Sequence, residues 1–252
     1  MSTDTNDREN RARVFVLGAS NVVRGCGTLV SHLCSTIGPC QIHLAGGRGR
    51  SYGRETRFMG MEFIGHTDST MWQAASQPSD IPSIAFLTDI GNDIAYGSPP
   101  DELLAWVTTV IERLSVHCEH FAISRLPTGS IARLGRFRFW LLKTFLFPGT
   151  PLQFSDIMNA VDSVNNGLEQ LSHQYPITLV DPETRWYSPD IIHIKKRRYP
   201  TAWKSMMAPI VDFVGNGAGK TVHYARKQIV PRREFNVERE IELPCGSRVI
   251  TH

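Results

Sequence analysis

The sequence lacks the features that would mark a secreted, disulfide-bonded or membrane-spanning protein. Its five cysteines form no CxxC pair, and an odd number excludes a complete disulfide framework. We expect them to be reduced and to pack as small apolar side chains. The sequence contains no run of 18 apolar residues, so no helix that spans a bilayer is expected. The first residues, MSTDTNDRENRAR, contain no apolar segment of the kind that a secretion signal needs, so a cytoplasmic protein is expected.

The composition also lacks a strong charge of either sign. Lys and Arg number 27 against 24 Asp and Glu, and the net charge of +3 does not indicate a nucleic-acid partner. Apolar residues make up 41% of the 252 residues, which is enough for a substantial core in one domain. We predict a disordered leader over residues 1–12, an α/β domain over 13–215 and a basic extension over 216–252. The extension is interpreted either as an additional hairpin or as a mobile basic arm.

Short apolar strands alternate with amphipathic helices along the predicted domain. Strands are expected at residues 14–17, 41–45, 84–87, 121–124 and 177–180, and helices at 21–36, 100–118, 154–173 and 201–214. This alternation predicts a parallel sheet with helices on both faces, a three-layer α/β/α sandwich. In such sheets, sites form beyond the carboxyl ends of the strands.

Three polar or glycine positions follow predicted strands directly. Ser20, in Gly18-Ala19-Ser20-Asn21, follows the first strand on a turn that glycine permits. Gly46 follows the second strand, and Asn92 follows the third. Ser20 also suits a helix N-cap, and Asn92 also suits an ordinary turn. Their common position after strand ends favours one shared site.

Asp190 and His193 supply the acid–base pair that a serine nucleophile requires. A serine hydroxyl is a weak nucleophile until a base takes its proton, and a carboxylate normally orients that base. Three residues apart, Asp190 and His193 would lie on one side of a helical turn. The alternative is a solvated surface turn that begins a helix at Pro189-Asp190.

The segments around Ser20, Gly46, Asn92 and the Asp190–His193 pair follow one another along the chain. In this order they resemble the four blocks of the SGNH hydrolases, also called GDSL esterases. The resemblance covers residues 13–214, and the segment 44–58, LAGGRGRSYGRETRF, resembles the corresponding block of rhamnogalacturonan acetylesterase, a family member. It implies a flavodoxin-like, mostly parallel sheet and an esterase that needs neither metal nor organic cofactor. Two positions depart from the family pattern: Ala19 stands where Asp is usual, and Ile90 where Gly is usual.

The resemblance also implies a role for each site residue. Ser20 would be the nucleophile, His193 the general base and Asp190 the carboxylate that orients it. The oxyanion hole would consist of the N–H groups of Ser20 and Gly46 and the side chain of Asn92, with Gly47 and Gly49 as alternatives to Gly46. The substrate would be a small-molecule, carbohydrate or lipid ester.

Several other interpretations follow from the same residues. An acyltransferase would use the same acyl-serine, and a non-catalytic binding module would use the same fold. A dinucleotide site at residues 17–20 lacks the later glycines of its fingerprint, and a phosphate loop at 215–221 is one residue short. The basic, apolar segment 130–148 is interpreted as a core helix with a basic rim, or as a lid or a helix on a membrane surface.

Overall fold

The computed structural model describes residues 10–58, 60–129, 154–215, 223–224, 229 and 238–252. The strands are β1 (Arg13–Leu17), β2 (Gln41–Ala45), β3 (Thr56–Phe58), β4 (Met61–Phe63), β5 (Ser83–Leu87), β6 (His120–Ser124), β7 (Ile177–Val180), β8 (Arg239–Glu242) and β9 (Arg248–Thr251). The α-helices are α1 (Ser20–Thr36), α2 (Met71–Ala75), α3 (Asn92–Ala95), α4 (Pro100–Ser115), α5 (Phe154–Ser172), α6 (Tyr199–Met206) and α7 (Ala208–Val214). Short 3-10 helices span His66–Asp68, Thr184–Trp186 and Lys196–Arg198.

Seven strands form one sheet in the order β7-β6-β5-β1-β2-β9-β8. All neighbours pair in parallel except β8 and β9, which are antiparallel. Strands β5, β1 and β2 are adjacent at the centre, and their carboxyl ends lie at the same edge. The residues that follow these three strands therefore lie at the same edge of the sheet, where the sequence predicts Ser20, Gly46 and Asn92.

Both faces of the sheet are covered at its centre, so the central strands β1, β2 and β5 are rich in buried apolar residues. All five residues of β1 are buried, and alternate side chains enter opposite cores. Val14 and Val16 pack with α1, α6 and α7, whereas Phe15 and Leu17 pack with α2, α4 and α5. This three-layer α/β/α arrangement confirms the predicted fold class. No helix in the described part of the chain is long and apolar enough to cross a membrane.

Helix α1 approaches α6 closely because it has a glycine at the contact. A Cβ on Gly25 would stand 2.5 Å from Trp203 Nε1 and 2.5 Å from Tyr199 Cδ1. Trp203 is fully buried, and its indole N–H donates to the Gly25 carbonyl at 3.1 Å. This contact fixes α1, which begins at Ser20, against the segment that follows His193.

The prediction of one helix over 201–214 is wrong, because α6 ends at Met206 and α7 begins at Ala208. Pro209 has no backbone N–H and crowds the carbonyl four residues earlier, so it interrupts a continuous helix. Gly215, with φ of 81°, ends α7 as expected.

The two ends of the described chain join the sheet. In the predicted leader, residues 10–12 are part of the fold: Arg11 N–H donates to the Pro39 carbonyl at 2.8 Å, and Ala12 is fully buried. In the predicted extension, β8 and β9 form a hairpin, and β9 pairs with β2. The boundary near residue 215 stays a prediction. The segment 130–148, for which three interpretations stand, and most of 215–221 lie outside the described residues.

Candidate active site

Ser20 is the first residue of α1 and lies just beyond the end of β1. Gly18 makes this turn possible, because a Cβ there would stand 2.6 Å from Val22 and 2.7 Å from Thr88. The Gly18 N–H donates to the Ala45 carbonyl at 3.0 Å, which joins the turn to the end of β2. Only 8% of Ser20 is exposed, so this residue is largely shielded from solvent.

A carboxylate from a distant segment caps the start of this helix. Asp89 Oδ2 accepts hydrogen bonds from the N–H groups of Ala19 at 2.8 Å and Asn21 at 3.0 Å, the residues on either side of Ser20. The first N–H groups of a helix have no acceptor within it, and a negative charge is favourable there. Asp89 thus contributes a carboxylate at the turn where Ala19 has none. Its φ of 58° is unusual for a residue other than glycine.

Asp190 and His193 form a direct hydrogen bond in a compact turn. His193 Nδ1 lies 2.9 Å from Asp190 Oδ2. Asp190 Oδ1 accepts the backbone N–H of His193 at 2.9 Å and the Ser188 hydroxyl at 2.6 Å. The expectation that the pair shares a helical turn is wrong: the segment is a non-helical turn in which Ile191 has φ of 57°. The carboxylate itself organises this turn by accepting its backbone donors.

These hydrogen bonds determine the charge of Asp190. Burial alone would raise the pKa of the carboxyl group, but the bonds from His193 and Ser188 outweigh it and hold the pKa well below its ordinary value. Asp190 is therefore ionised at neutral pH. An ionised carboxylate can only accept, so Nδ1 of a neutral His193 carries the proton and Nε2 is left as an acceptor.

Asn21 connects the turn at Ser20 to the turn at His193. Its Nδ2 donates to Asp89 Oδ1 at 2.7 Å and to the Ile192 carbonyl at 3.0 Å. Its Oδ1 accepts the Ile194 N–H at 2.9 Å and the Tyr199 hydroxyl at 3.3 Å. Ile192 and Ile194 flank His193 in the sequence, so the residue after Ser20 holds the backbone on both sides of the imidazole.

Asn92 is the first residue of α3 and follows the loop 88–91 after β5. Its Nδ2 atom is buried and has no hydrogen-bond partner among the described residues. A buried donor without an acceptor costs about 1–3 kcal/mol, so such a group calls for an explanation. The residue next to it, Asp93, is fully buried and accepts hydrogen bonds from the Ser51 hydroxyl and from the Tyr52 N–H at 3.0 Å. Burial raises the pKa of Asp93 to about 6.

The glycine-rich loop after β2 is fixed by close contacts. A Cβ on Gly49, whose φ is 73°, would stand 2.3 Å from the Tyr96 hydroxyl, so only glycine fits there. Arg50 is 2% exposed and donates to the carbonyls of Gly46 at 3.3 Å and His252 at 2.8 Å. Burial lowers the pKa of Arg50 to about 10, so it is still cationic at neutral pH.

The structure brings the predicted site segments to one edge of the sheet: Ser20, Gly46 and Asn92 follow adjacent strands, and Asn21 links them to the Asp190–His193 pair. Sequence reasoning missed Asn21, Asp89 and Asp93. Asp89 and Asp93 stand in the quoted segment around Asn92, but their partners lie about 70 and 40 residues away along the chain. In the described residues, no group of three or more His, Cys, Asp or Glu side chains is arranged to hold a metal ion.

The sequence matches no protein-family model and no curated protein sequence. Solved structures do match the fold. A lipolytic G-D-S-L family protein from Veillonella parvula is 17% identical, with a TM-score of 0.52 over 80% of this chain and 98% of that one. A psychrotrophic esterase from a Pseudoalteromonas species, inhibited by monoethylphosphonate, is 11% identical, with a TM-score of 0.52 and coverage of 80% and 98%. A carbohydrate acetylesterase family member from Sinorhizobium meliloti is 11% identical, with a TM-score of 0.54 and coverage of 81% and 98%.

These matches agree with the resemblance of the sequence blocks. The class of protein that the architecture defines is an α/β sandwich with a mostly parallel sheet flanked by helices. Within that class, the chain has the fold of the SGNH hydrolases, the fold shared by G-D-S-L lipolytic esterases and carbohydrate acetylesterases.

Proposed function

We propose that the chain is a serine hydrolase that cleaves carboxylic esters through an acyl-serine intermediate. Ser20 is the nucleophile, His193 the general base and Asp190 the carboxylate that orients the imidazole. The observation that carries the proposal is the 2.9 Å Asp190–His193 hydrogen bond, in a turn that is bonded to the residue following Ser20. That pair gives His193 the tautomer in which Nε2 can accept a proton.

In the first step, Ser20 Oγ attacks the ester carbonyl carbon while its proton moves to His193 Nε2. The imidazolium that forms lies beside ionised Asp190, which stabilises the new charge. His193 then donates the proton to the departing alcohol oxygen as the carbon–oxygen bond breaks. Water then attacks the acyl carbon while His193 Nε2 takes its proton. As the bond from the acyl carbon to Ser20 Oγ breaks, His193 returns that proton to Oγ, and the carboxylic acid and free Ser20 are released.

The oxyanion of each tetrahedral intermediate needs fixed donors. We assign this role to Asn92 Nδ2, to the Ser20 N–H and to the Gly46 N–H, with Gly47 and Gly49 as alternatives to Gly46. The buried Nδ2 of Asn92 supports the assignment, since an oxyanion would supply the acceptor that the described residues do not. The Ser20 N–H is at the start of a helix, where backbone donors favour a negative charge.

Short acetyl esters are the first substrates to test, because carbohydrate acetylesterases share the fold at TM-scores of 0.54 and 0.51. The assay is hydrolysis of p-nitrophenyl acetate by the wild type, Ser20→Ala and Asp190→Ala. Ser35→Ala, near the other end of the same helix, is the matched serine control. We expect Ser20→Ala to lose all but background activity, and Asp190→Ala to lose about 10³–10⁴-fold in kcat. Ser35→Ala activity should equal that of the wild type.

The same experiment distinguishes the alternatives. A folded wild type with no activity on any acyl ester indicates a non-catalytic module. Acyl transfer to an added alcohol, faster than release of the free acid, indicates an acyltransferase. Wild-type activity in Ser20→Ala contradicts the assignment of the nucleophile.

A further inference from the structure

The side chain of Asn21 has all of its hydrogen-bonding positions in use. An asparagine amide offers two N–H donors and a carbonyl oxygen with two lone pairs. The donors reach Asp89 Oδ1 at 2.7 Å and the Ile192 carbonyl at 3.0 Å, and the oxygen accepts from Ile194 N–H at 2.9 Å and from Tyr199 at 3.3 Å. Asn21 is 3% exposed, so water does not compete for these bonds.

The partners of this amide lie on three different segments. Asp89 belongs to the loop after β5, Ile192 and Ile194 to the turn that carries His193, and Tyr199 to the start of α6. Asn21 itself is fixed from its backbone, because its N–H donates to Asp89 Oδ2 at 3.0 Å. The nucleophile helix is thereby joined to the backbone immediately before and immediately after His193.

We propose that Asn21, held by Asp89, is the positioning residue that sets the distance and orientation of His193 relative to Ser20. This inference rests on the proposed function. The four hydrogen bonds of the Asn21 side chain go to neither the imidazole nor the Ser20 hydroxyl; Asn21 acts through the peptide groups that flank His193. Proton transfer from Ser20 requires that the imidazole come within hydrogen-bond reach of the hydroxyl.

Asp89 binds the Ser20 turn directly and is joined to the His193 turn through Asn21. Asp89 accepts hydrogen bonds from Ala19 N–H, from Asn21 N–H and from the Asn21 side chain. A shift of the Ser20 turn is therefore transmitted to Asn21 and from it to the His193 turn. Ser20 and His193 are expected to move together and to keep their separation.

The test measures kcat and KM separately for Asn21→Ala with p-nitrophenyl acetate. A misplacement of about 1 Å costs about 100-fold in rate, so we expect kcat to fall about 100-fold while KM changes by less than about threefold. The rate of labelling by a fluorophosphonate should fall by the same factor. A purely structural role would lower the melting temperature but leave kcat per folded molecule unchanged.

Ser247→Ala is the control, because it also removes buried hydrogen bonds between segments. Ser247 is fully buried, and its hydroxyl oxygen accepts the Cys40 N–H at 3.1 Å and contacts Cys34. It lies at the amino-end side of the strands, since Cys40 precedes β2 and Ser247 precedes β9. We expect this variant to lose stability but to keep the wild-type kcat.

Amide hydrogen exchange gives a readout that needs no catalysis. Without Asn21 Oδ1 the Ile194 N–H loses its acceptor, so peptides covering 188–195 should exchange faster in Asn21→Ala and at the wild-type rate in Ser247→Ala. Faster exchange with a wild-type kcat would overturn the positioning role, because the turn would be released without effect. Unchanged exchange would overturn it too. An inactive wild type would instead show that the proposed function has failed, and the inference with it.

Discussion

Replacement of Asn92 by alanine should keep or raise the free energy of unfolding while it lowers kcat. The buried Nδ2 of Asn92 has no partner among the described residues, so removing it also removes an unsatisfied donor worth about 1–3 kcal/mol. Part of this gain is offset by the lost packing of the side chain. We therefore expect the free energy of unfolding to stay constant or to rise by about 1 kcal/mol, which corresponds to a melting temperature up to about 4 °C higher.

The effect on catalysis should be large, because Asn92 is assigned to the oxyanion hole. Loss of one side-chain donor there reduces kcat by about 10²–10³, or about 3–4 kcal/mol of transition-state stabilisation. Steady-state hydrolysis of p-nitrophenyl acetate gives kcat, and urea unfolding gives the stability.

Asn165 is the matched control for the stability measurement. It is a buried asparagine whose amide is satisfied, since it accepts the Leu126 N–H at 2.9 Å and donates to the Leu126 carbonyl at 3.2 Å. Asn165→Ala should therefore lower the free energy of unfolding by about 1–3 kcal/mol. An Asn92→Ala variant that loses stability as Asn165→Ala does, yet keeps its kcat, would refute the reasoning.

Two further predictions concern stability alone. Burial raises the pKa of Asp93 from 3.8 to about 6, so its contribution to stability is fully present below pH 3.8 and is lost as the pH rises through about 6. Relative to the wild type, Asp93→Asn should therefore gain on the order of 2 kcal/mol in the free energy of unfolding between pH 4 and 7, measured by urea unfolding, and a constant difference would contradict this. Gly25→Ala should lower the free energy of unfolding by about 1–3 kcal/mol, because its Cβ would stand 2.5 Å from Tyr199 and Trp203. Thermal unfolding checks this, and an unchanged melting temperature would count against the close packing of α1 on α6.

The centre of the sheet could be predicted from the sequence because β1, β2, β5 and β6 are buried along most of their length. The short apolar runs at β1, β2, β5, β6 and β7 need no long-range information to be recognised. For the C-terminal extension, the sequence left open either a hairpin or a mobile basic arm, because Arg239, Glu240 and Arg248 make the β8–β9 segment polar. In the structure β8 is an edge strand. Polar residues are common on edge strands, where one side faces water.

The order of site residues could also be predicted, but not the network around them. The Asp190–His193 spacing suggested a pair, yet the geometry comes from a turn organised by the carboxylate and not from a helix. Asp89 caps the Ser20 turn across 70 residues of sequence, and no local pattern reveals such a contact. Ala19 stands where the SGNH hydrolases usually have Asp, so the turn has no carboxylate of its own. Asp89 supplies one from the loop after β5.

Site-resolved labelling with a fluorophosphonate tests the central claim most directly. The probe is incubated with the wild type and with His193→Ala, and the modified peptide is identified by mass spectrometry. We predict a single phosphonylated residue, Ser20, in the wild type, and labelling at least about 100-fold slower without the general base. Modification of another serine, or none in a folded wild type, would contradict it.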